Sequence, residues 1–290
     1  MPLRALDELI TLLDLEEIEV NVFRGRSPDE PRQRVYGGQV AGQALVAAAR
    51  TVERGVIHSL HAYFLRPGDV GKPILYQVDR IRDGKTFTTR RVLAVQHGKS
   101  IFALSASFQP PEDGPDHQMP MPDAPDPESL PTWTERAQSV IHKVQNPELR
   151  EWLQRERPID TRNVDSRPLG EKHARPPRQM VWIRAKGQLP DALTLHQCIV
   201  TYASDMTLLD TATLPHAIAW NDPGYLMASL DHAMWFHRPF RADEWLLYAQ
   251  DSPSASGARG FAMGHFFTRA GKLVASVAQE GLMRPLRSDG

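Results

Sequence analysis

Two stretches of the chain alternate apolar and polar residues with a period of two. The first is HAYFLRPGDVGKPILYQVDRIRDG followed by TFTTRRVLAVQHGKSIFALSASFQ; the second is HAMWFHRPFRADEWLLYAQDSPSASG followed by ARGFAMGHFFTRAGKLVASVAQEGLM. Alternation broken by Gly, Asp or Pro predicts antiparallel strands joined by hairpins. Phe64, Arg66 and Pro67 recur as Phe236, Arg238 and Pro239 at a constant offset, and Gly98-Lys99 recurs as Gly271-Lys272 with one residue of slippage. The strand series is therefore duplicated.

A helical segment precedes each series. Gly38 to Val52 (GQVAGQALVAAARTV) is small and apolar nearly all round, and a helix without a wet face must be buried on every side, as when a curved sheet wraps it. The second copy is read as Ser204 to Leu214 (SDMTLLDTATL), with Ser204 as a favourable N-cap and Asp205 as a first-turn acid. Two α+β units, each a curved sheet around a central helix, fit this pattern, and so do two α+β domains of another kind.

Between the copies, Pro110 to Pro131 carries eight prolines in 22 residues, too many missing donors for helix or sheet. Residues 133–157 read as one or two short helices interrupted at Pro147, and the stretch to Pro177 as irregular. The expected organisation is an N-terminal repeat over 1–115, a proline-rich bridge with short helices over 116–177, and a C-terminal repeat over 178–290 that carries the site.

Composition narrows the class. The 290 residues are 41% hydrophobic and 24% charged, as in an ordinary globular protein, and no run approaches the ~20 apolar residues of a membrane helix. Thirty-four basic against thirty-five acidic residues leave a net charge of -1, so no global field favours nucleic acid or a membrane surface. One cysteine, Cys198, forms no internal disulfide; the first twenty residues are amphipathic and acidic, and the chain ends RPLRSDG, neither a Ser-Lys-Leu address nor a lipidation signal. The expected compartment is the cytoplasm.

The blocks RVYGGQVAGQAL (Arg34 to Leu45), FLRPGD (Phe64 to Asp69), YASDMTLLDT (Tyr202 to Thr211), SLDHAMWFHRPFRADEWLLY (Ser229 to Tyr248), SASGARGF and VASVAQEGLMR together resemble the type II acyl-CoA thioesterase (TesB-like) family, over roughly residues 5–110 and 178–285. The resemblance implies an α+β double hotdog fold and hydrolysis of fatty acyl-CoA, with neither metal nor cofactor. It implies a site in which an Asp, a Thr or Ser, and a Gln activate water: here Asp205, Ser229 and Gln279. Ser229 stands where the family often has Thr, which keeps the hydroxyl. The first helix has Gln39 and Gly42 and no Asp, so one site per chain is expected. Assembly into a homodimer or tetramer is implied as well.

The chemistry suits those residue types. A thioester's leaving thiol has a pKa of about 8.5 and departs without a strong general acid. What remains is water attack, which Asp205, Ser229 and Gln279 can orient through their donors and acceptors, and oxyanion stabilisation by helix-terminal amides, with Gly38, Gln39 and Met206 as candidates. A first-turn position lowers the pKa of Asp205 and burial raises it. Coenzyme A phosphates need cations, for which Arg90, Arg91, Arg259 and Lys272 are candidates; Met206, Met234, Trp235 and Phe236 are candidates for an acyl tunnel.

Other chemistries fit less well. No Gly-x-Ser-x-Gly elbow occurs. His196 and Cys198 read as neighbours on a strand face, with a buried structural thiol the better account. His232 and His237 fall on opposite faces of a strand, one packed and one exposed, and do not share a metal. A hotdog hydratase would want a His paired with an acid near the helix start. A non-catalytic acyl-CoA binding or sensing protein is the alternative from another class, although a binder has no use for three water-holding side chains.

Overall fold

The computed structural model describes residues 5–28, 34–165, 172–219 and 222–286; part of the basic stretch before Pro177 and the end of RPLRSDG lie outside them. In chain order the first half contains α1 (Ala5–Leu13), β1 (Glu16–Glu19), β2 (Val22–Gly25), α2 (Gly37–Ala49), β3 (Val56–Phe64), β4 (Ile74–Asp83), β5 (Thr88–Gln96) and β6 (Lys99–Gln109). The bridge contains α3 (Trp133–Ile141), α4 (Pro147–Gln154) and β7 (Ile159–Asn163). The second half follows with β8 (Arg178–Ala185), α5 (Leu193–Ser204), α6 (Leu208–Thr213), β9 (Tyr225–Ser229), β10 (Asp231–Phe236), β11 (Leu246–Ser256), β12 (Arg259–Thr268) and β13 (Leu273–Pro285).

The strands among the described residues form one antiparallel sheet in the order β1-β2-β4-β5-β6-β3-β10-β13-β12-β11-β8-β7, with β9 added on β13. The two halves meet where β3 pairs with β10, Asp231 opposite Tyr63 and Trp235 opposite Ser59. Two-residue turns close β5–β6 at His97-Gly98 and β11–β12 at Gly257-Ala258. All four turn residues have positive φ, as the mirror-image turn that matches strand twist requires. With α2 packed on β2 to β6, α5 packed on α2 and tied at its end to Tyr248 and His232, and α6 packed on β8 and β11 to β13, the architecture is a double hotdog.

The two central helices pack against each other. Gly38 and Gly42 lie on one side of α2, and a Cβ on Gly38 would stand 2.2 Å from the Tyr202 carbonyl oxygen, while one on Gly42 would stand 3.3 Å from that of Cys198. Glycine in a helix costs roughly 0.5–1 kcal/mol in chain entropy; here it lets the backbone of α5 lie directly on α2. Leu6, Leu9 and Leu13 of α1 complete the same core.

The proline-rich segment is a bonded strap over the outer face of the second half. Trp182 Nε1 donates to the Pro125 carbonyl at 2.9 Å and Trp245 Nε1 to Glu128 Oε1 at 2.7 Å. Met121, Ala124 and Leu130 close a second small core over Trp182, Trp245, Leu247 and Phe267. Strands β8 and β11 are thus buried on both faces there.

Three expectations are corrected. The second central helix is Leu193–Ser204, not Ser204–Leu214: Ser204 is in its last turn and Asp205 is its C-cap, with φ -82° and ψ -2°. The true start at Ala192 has no side-chain cap, so no local signal announces it. His196 and Cys198 consequently lie on this helix, not on a strand, and Cys198 is buried, which pushes its thiol up to about 12. Residues 159–163, read as irregular, form the edge strand β7.

Arg90 is the third. Its guanidinium is 1% exposed and donates to the hydroxyl and carbonyl of Thr51, to the carbonyls of Arg82 and Thr89 and to Asp83. It ties the end of α2 to the β4–β5 hairpin and cannot reach a ligand. Arg91, by contrast, is exposed and pairs with exposed Asp79. Arg90→Ala is expected to cost roughly 3 kcal/mol, since it leaves buried acceptors unpaired and a cavity, whereas Arg91→Ala should stay within about 0.5 kcal/mol of the parent. Equal denaturant midpoints for the two variants would contradict this.

Candidate active site

The end of α5 and the start of α2 meet at Asp205. Its Oδ1 accepts from the Ser229 hydroxyl at 3.1 Å and from Gln279 Nε2 at 2.9 Å, and Gln279 Nε2 also donates to Ser229 Oγ at 2.6 Å. The three side chains, from the α5 C-cap, the end of β9 and the middle of β13, close a triangle. The Gly38 amide of α2 donates to the same carboxylate, and Oδ2 lies 2.6 Å from where a Cβ on Gly37 would be. Asp205 remains the C-cap of α5, and the amide end of α2 faces it across the core.

Behind the triangle lies a buried relay. His232, 1% exposed on β10, places Nδ1 3.1 Å from Gln279 Oε1 and Nε2 2.8 Å from Ser204 Oγ. Gln279 must turn its NH2 toward the carboxylate, so its carbonyl faces His232, and Nδ1 carries the proton. The imidazole therefore fixes which way the amide points. Burial pushes the Asp205 carboxyl above the usual carboxylate range, against the hydrogen bonds from Gln279, Ser229 and Gly38. Burial likewise pushes His232 below the usual histidine value, which keeps it neutral near pH 7.

A cavity of about 1350 Å³ opens onto this point. Asp205, Ser229, Tyr36, Gly37, Tyr202 and Met206 line it near the triangle, whereas Gln279 is 1% exposed and sits behind them. Of the three amides expected to meet an oxyanion, that of Gly38 is engaged by Asp205 and that of Met206 donates to the Ala203 carbonyl at 3.1 Å. The Gln39 side chain is buried on Arg26 and Ser27. None of Arg90, Arg91, Arg259 and Lys272 lines the cavity; Arg259 pairs with Glu280 at 2.8 Å, and the Lys272 amide closes a turn on Thr268. Among the acyl-tunnel candidates Met206 lines it; Met234 and Phe236 are core residues, and Trp235 packs against His61 on the outer face.

The family model described as Acyl-CoA thioesterase matches residues 150–282, and that described as Acyl-CoA thioesterase N-terminal domain matches residues 26–109. The chain is 43% identical to human acyl-coenzyme A thioesterase 8, with 94% of this chain and 88% of the relative covered. The chain belongs to the acyl-CoA thioesterase family. Acyl-CoA thioesterase 2 of Haemophilus influenzae is 40% identical over 96% of this chain and 98% of that one. The crystal structure of the acyl-CoA thioesterase II TesB2 of Mycobacterium marinum superposes with a TM-score of 0.78 at 46% identity, covering 96% of this chain and 98% of that one.

Sequence reasoning missed His232 as the support of Gln279, and it missed the bridge, whose helices line the cavity through Trp133, Val140 and Trp152. An alternating strand pattern marks His232 as inward without marking its partner, and helical periodicity does not distinguish a core-facing side from a cavity-facing one.

Ionised Asp205 lowers stability, because its folded pKa lies above the unfolded one. The cost is absent below the unfolded value of about 4 and complete above the raised folded value. Asp205→Asn is therefore expected to melt at a higher temperature than the parent at pH 8, the advantage fading as the pH falls to about 4. A melting difference that does not change across that range contradicts the raised pKa.

Proposed function

We propose that the protein hydrolyses fatty acyl-CoA to free acid and coenzyme A by direct attack of one water held between Asp205 and Ser229, with no acyl-enzyme. The observation that carries this reading is the Asp205–Ser229–Gln279 triangle at the wall of a cavity. Membership of the family supports the substrate class.

Asp205 accepts a proton of the water and Ser229 holds its remaining bonds, while Gln279, out of reach of the substrate, keeps both in register. As the water oxygen bonds to the carbonyl carbon, the carbonyl oxygen gains charge and is met at the amide end of α2, where Gly37 lines the cavity. Collapse of the tetrahedral species breaks the C–S bond, and the proton taken by Asp205 passes to the departing thiolate. Burial makes Asp205 a stronger base than an exposed carboxylate. Each step draws on residues of this chain.

A thiol-release assay tests the reading. The parent protein is expected to turn over acyl-CoA, and Asp205→Asn, Ser229→Ala and Gln279→Ala to lower kcat by about 10²–10³ with KM little changed. Tight binding of acyl-CoA by the parent without release of thiol, or near-normal kcat for Asp205→Asn, would overturn it.

A further inference from the structure

The cavity does not end at the catalytic triangle. Its far wall is the bridge hairpin of α3 and α4, joined by five residues and built from local interactions. A capping box of Thr132 and Glu135 starts α3, and Asn146 with Pro147 starts α4. Trp133 Nε1 donates to the Leu153 carbonyl at 3.1 Å, and the indoles of Trp133 and Trp152 meet edge to face at 5.4 Å. The Arg157 guanidinium lies 3.8 Å from the centre of one ring and 4.2 Å from that of the other.

An amphipathic helix buries its apolar side against a core. Here Trp133, Val140, Val144, Leu149 and Trp152 are half-buried, and all five line the cavity. The spacing of 133 and 140 on α3, and of 149 and 152 on α4, keeps each pair on one face, and Val144 lies in the connection between the two helices. Across the same cavity α6 and the turn after it add Leu209 and Leu214. Of the hairpin's cations along this wall, Arg136 donates to Asn163 Oδ1 and Arg157 lies on the two indoles, while Lys143 and Arg155 line the cavity beside the apolar row. The five apolar side chains themselves offer van der Waals surface and no point charge, which suits a hydrocarbon.

We propose that the α3–α4 hairpin is the roof of the acyl channel, with Val140, Val144 and Leu149 setting the length of chain that fits between the catalytic triangle and the Trp133–Arg157–Trp152 stack. The proposal rests on the thioesterase reading above. It places chain-length selection in the bridge, outside both repeats. A chain too short to reach the hairpin gains nothing from it, and one that reaches it loses contact or collides when the roof changes.

The test is kcat/KM for acetyl-, octanoyl- and palmitoyl-CoA with the parent, Val144→Trp and Val140→Trp. Filling the channel is expected to lower the value for the longest chain the parent accepts by about tenfold or more, the scale of a misfit in an apolar pocket, and to leave acetyl-CoA within about twofold. Acetyl-CoA turnover thus reports that each variant is folded, and Leu149→Ala, which enlarges the channel, should shift preference toward longer chains. A uniform loss for all three substrates in folded variants would place the hairpin against the coenzyme moiety and overturn the proposal, as would an unchanged chain-length profile. A parent that hydrolyses acetyl-CoA but neither longer substrate also overturns it while leaving the thioesterase reading intact; a parent that hydrolyses none of them overturns that reading instead.

Discussion

The backbone-to-backbone contact between α2 and α5 governs the site. Gly38 places the start of one helix against the Tyr202 carbonyl near the end of the other, closer than any side chain would permit. That contact sets a carboxylate from the C-cap of α5 in front of the amides that open α2. The carboxylate at Asp205 is buried, which raises its pKa, yet it is held by a helix N-terminus, an amide and a hydroxyl, which limit the rise. The opposing influences leave a base that is stronger than ordinary Asp and fixed in position.

The fold supports this arrangement from behind. A buried amide side chain is worth its desolvation only when its donors and acceptor are matched. Gln279 meets that condition through Asp205 and Ser229 on one side and His232 on the other. His232 is matched in turn by Ser204, whose hydroxyl is also within reach of the Thr201 carbonyl at 2.9 Å. The relay crosses β13, β10 and α5, so the orientation of one amide depends on the registry of strands and helix together. Only the front of the assembly, Asp205 and Ser229, faces the cavity.

The duplicated strand series was legible because period-two alternation and turn residues are local, and Phe64 and Phe236 end the equivalent strands β3 and β10, with Arg66-Pro67 and Arg238-Pro239 just beyond them. The second central helix was misplaced by about ten residues for an equally local reason: Ser204-Asp205 looks like a helix start, while the actual start at Ala192 lacks a capping side chain. Asp205, Ser229 and Gln279 were found through motif resemblance, not through spacing. Their mutual bonding, the buried role of Arg90 and the support from His232 depend on contacts between residues far apart in the chain, which periodicity does not encode. The bridge helices could be read, but not the cavity beneath them.

If one water is held by a single unit of three side chains, loss of any member should disable the whole. A double-mutant cycle on kcat with Asp205→Asn and Gln279→Ala measures this directly. The account predicts strong non-additivity, the double variant being little slower than the worse single variant, because Gln279 acts through the groups it positions. Multiplicative losses would mean that the two residues act independently, and the shared-water arrangement would be wrong.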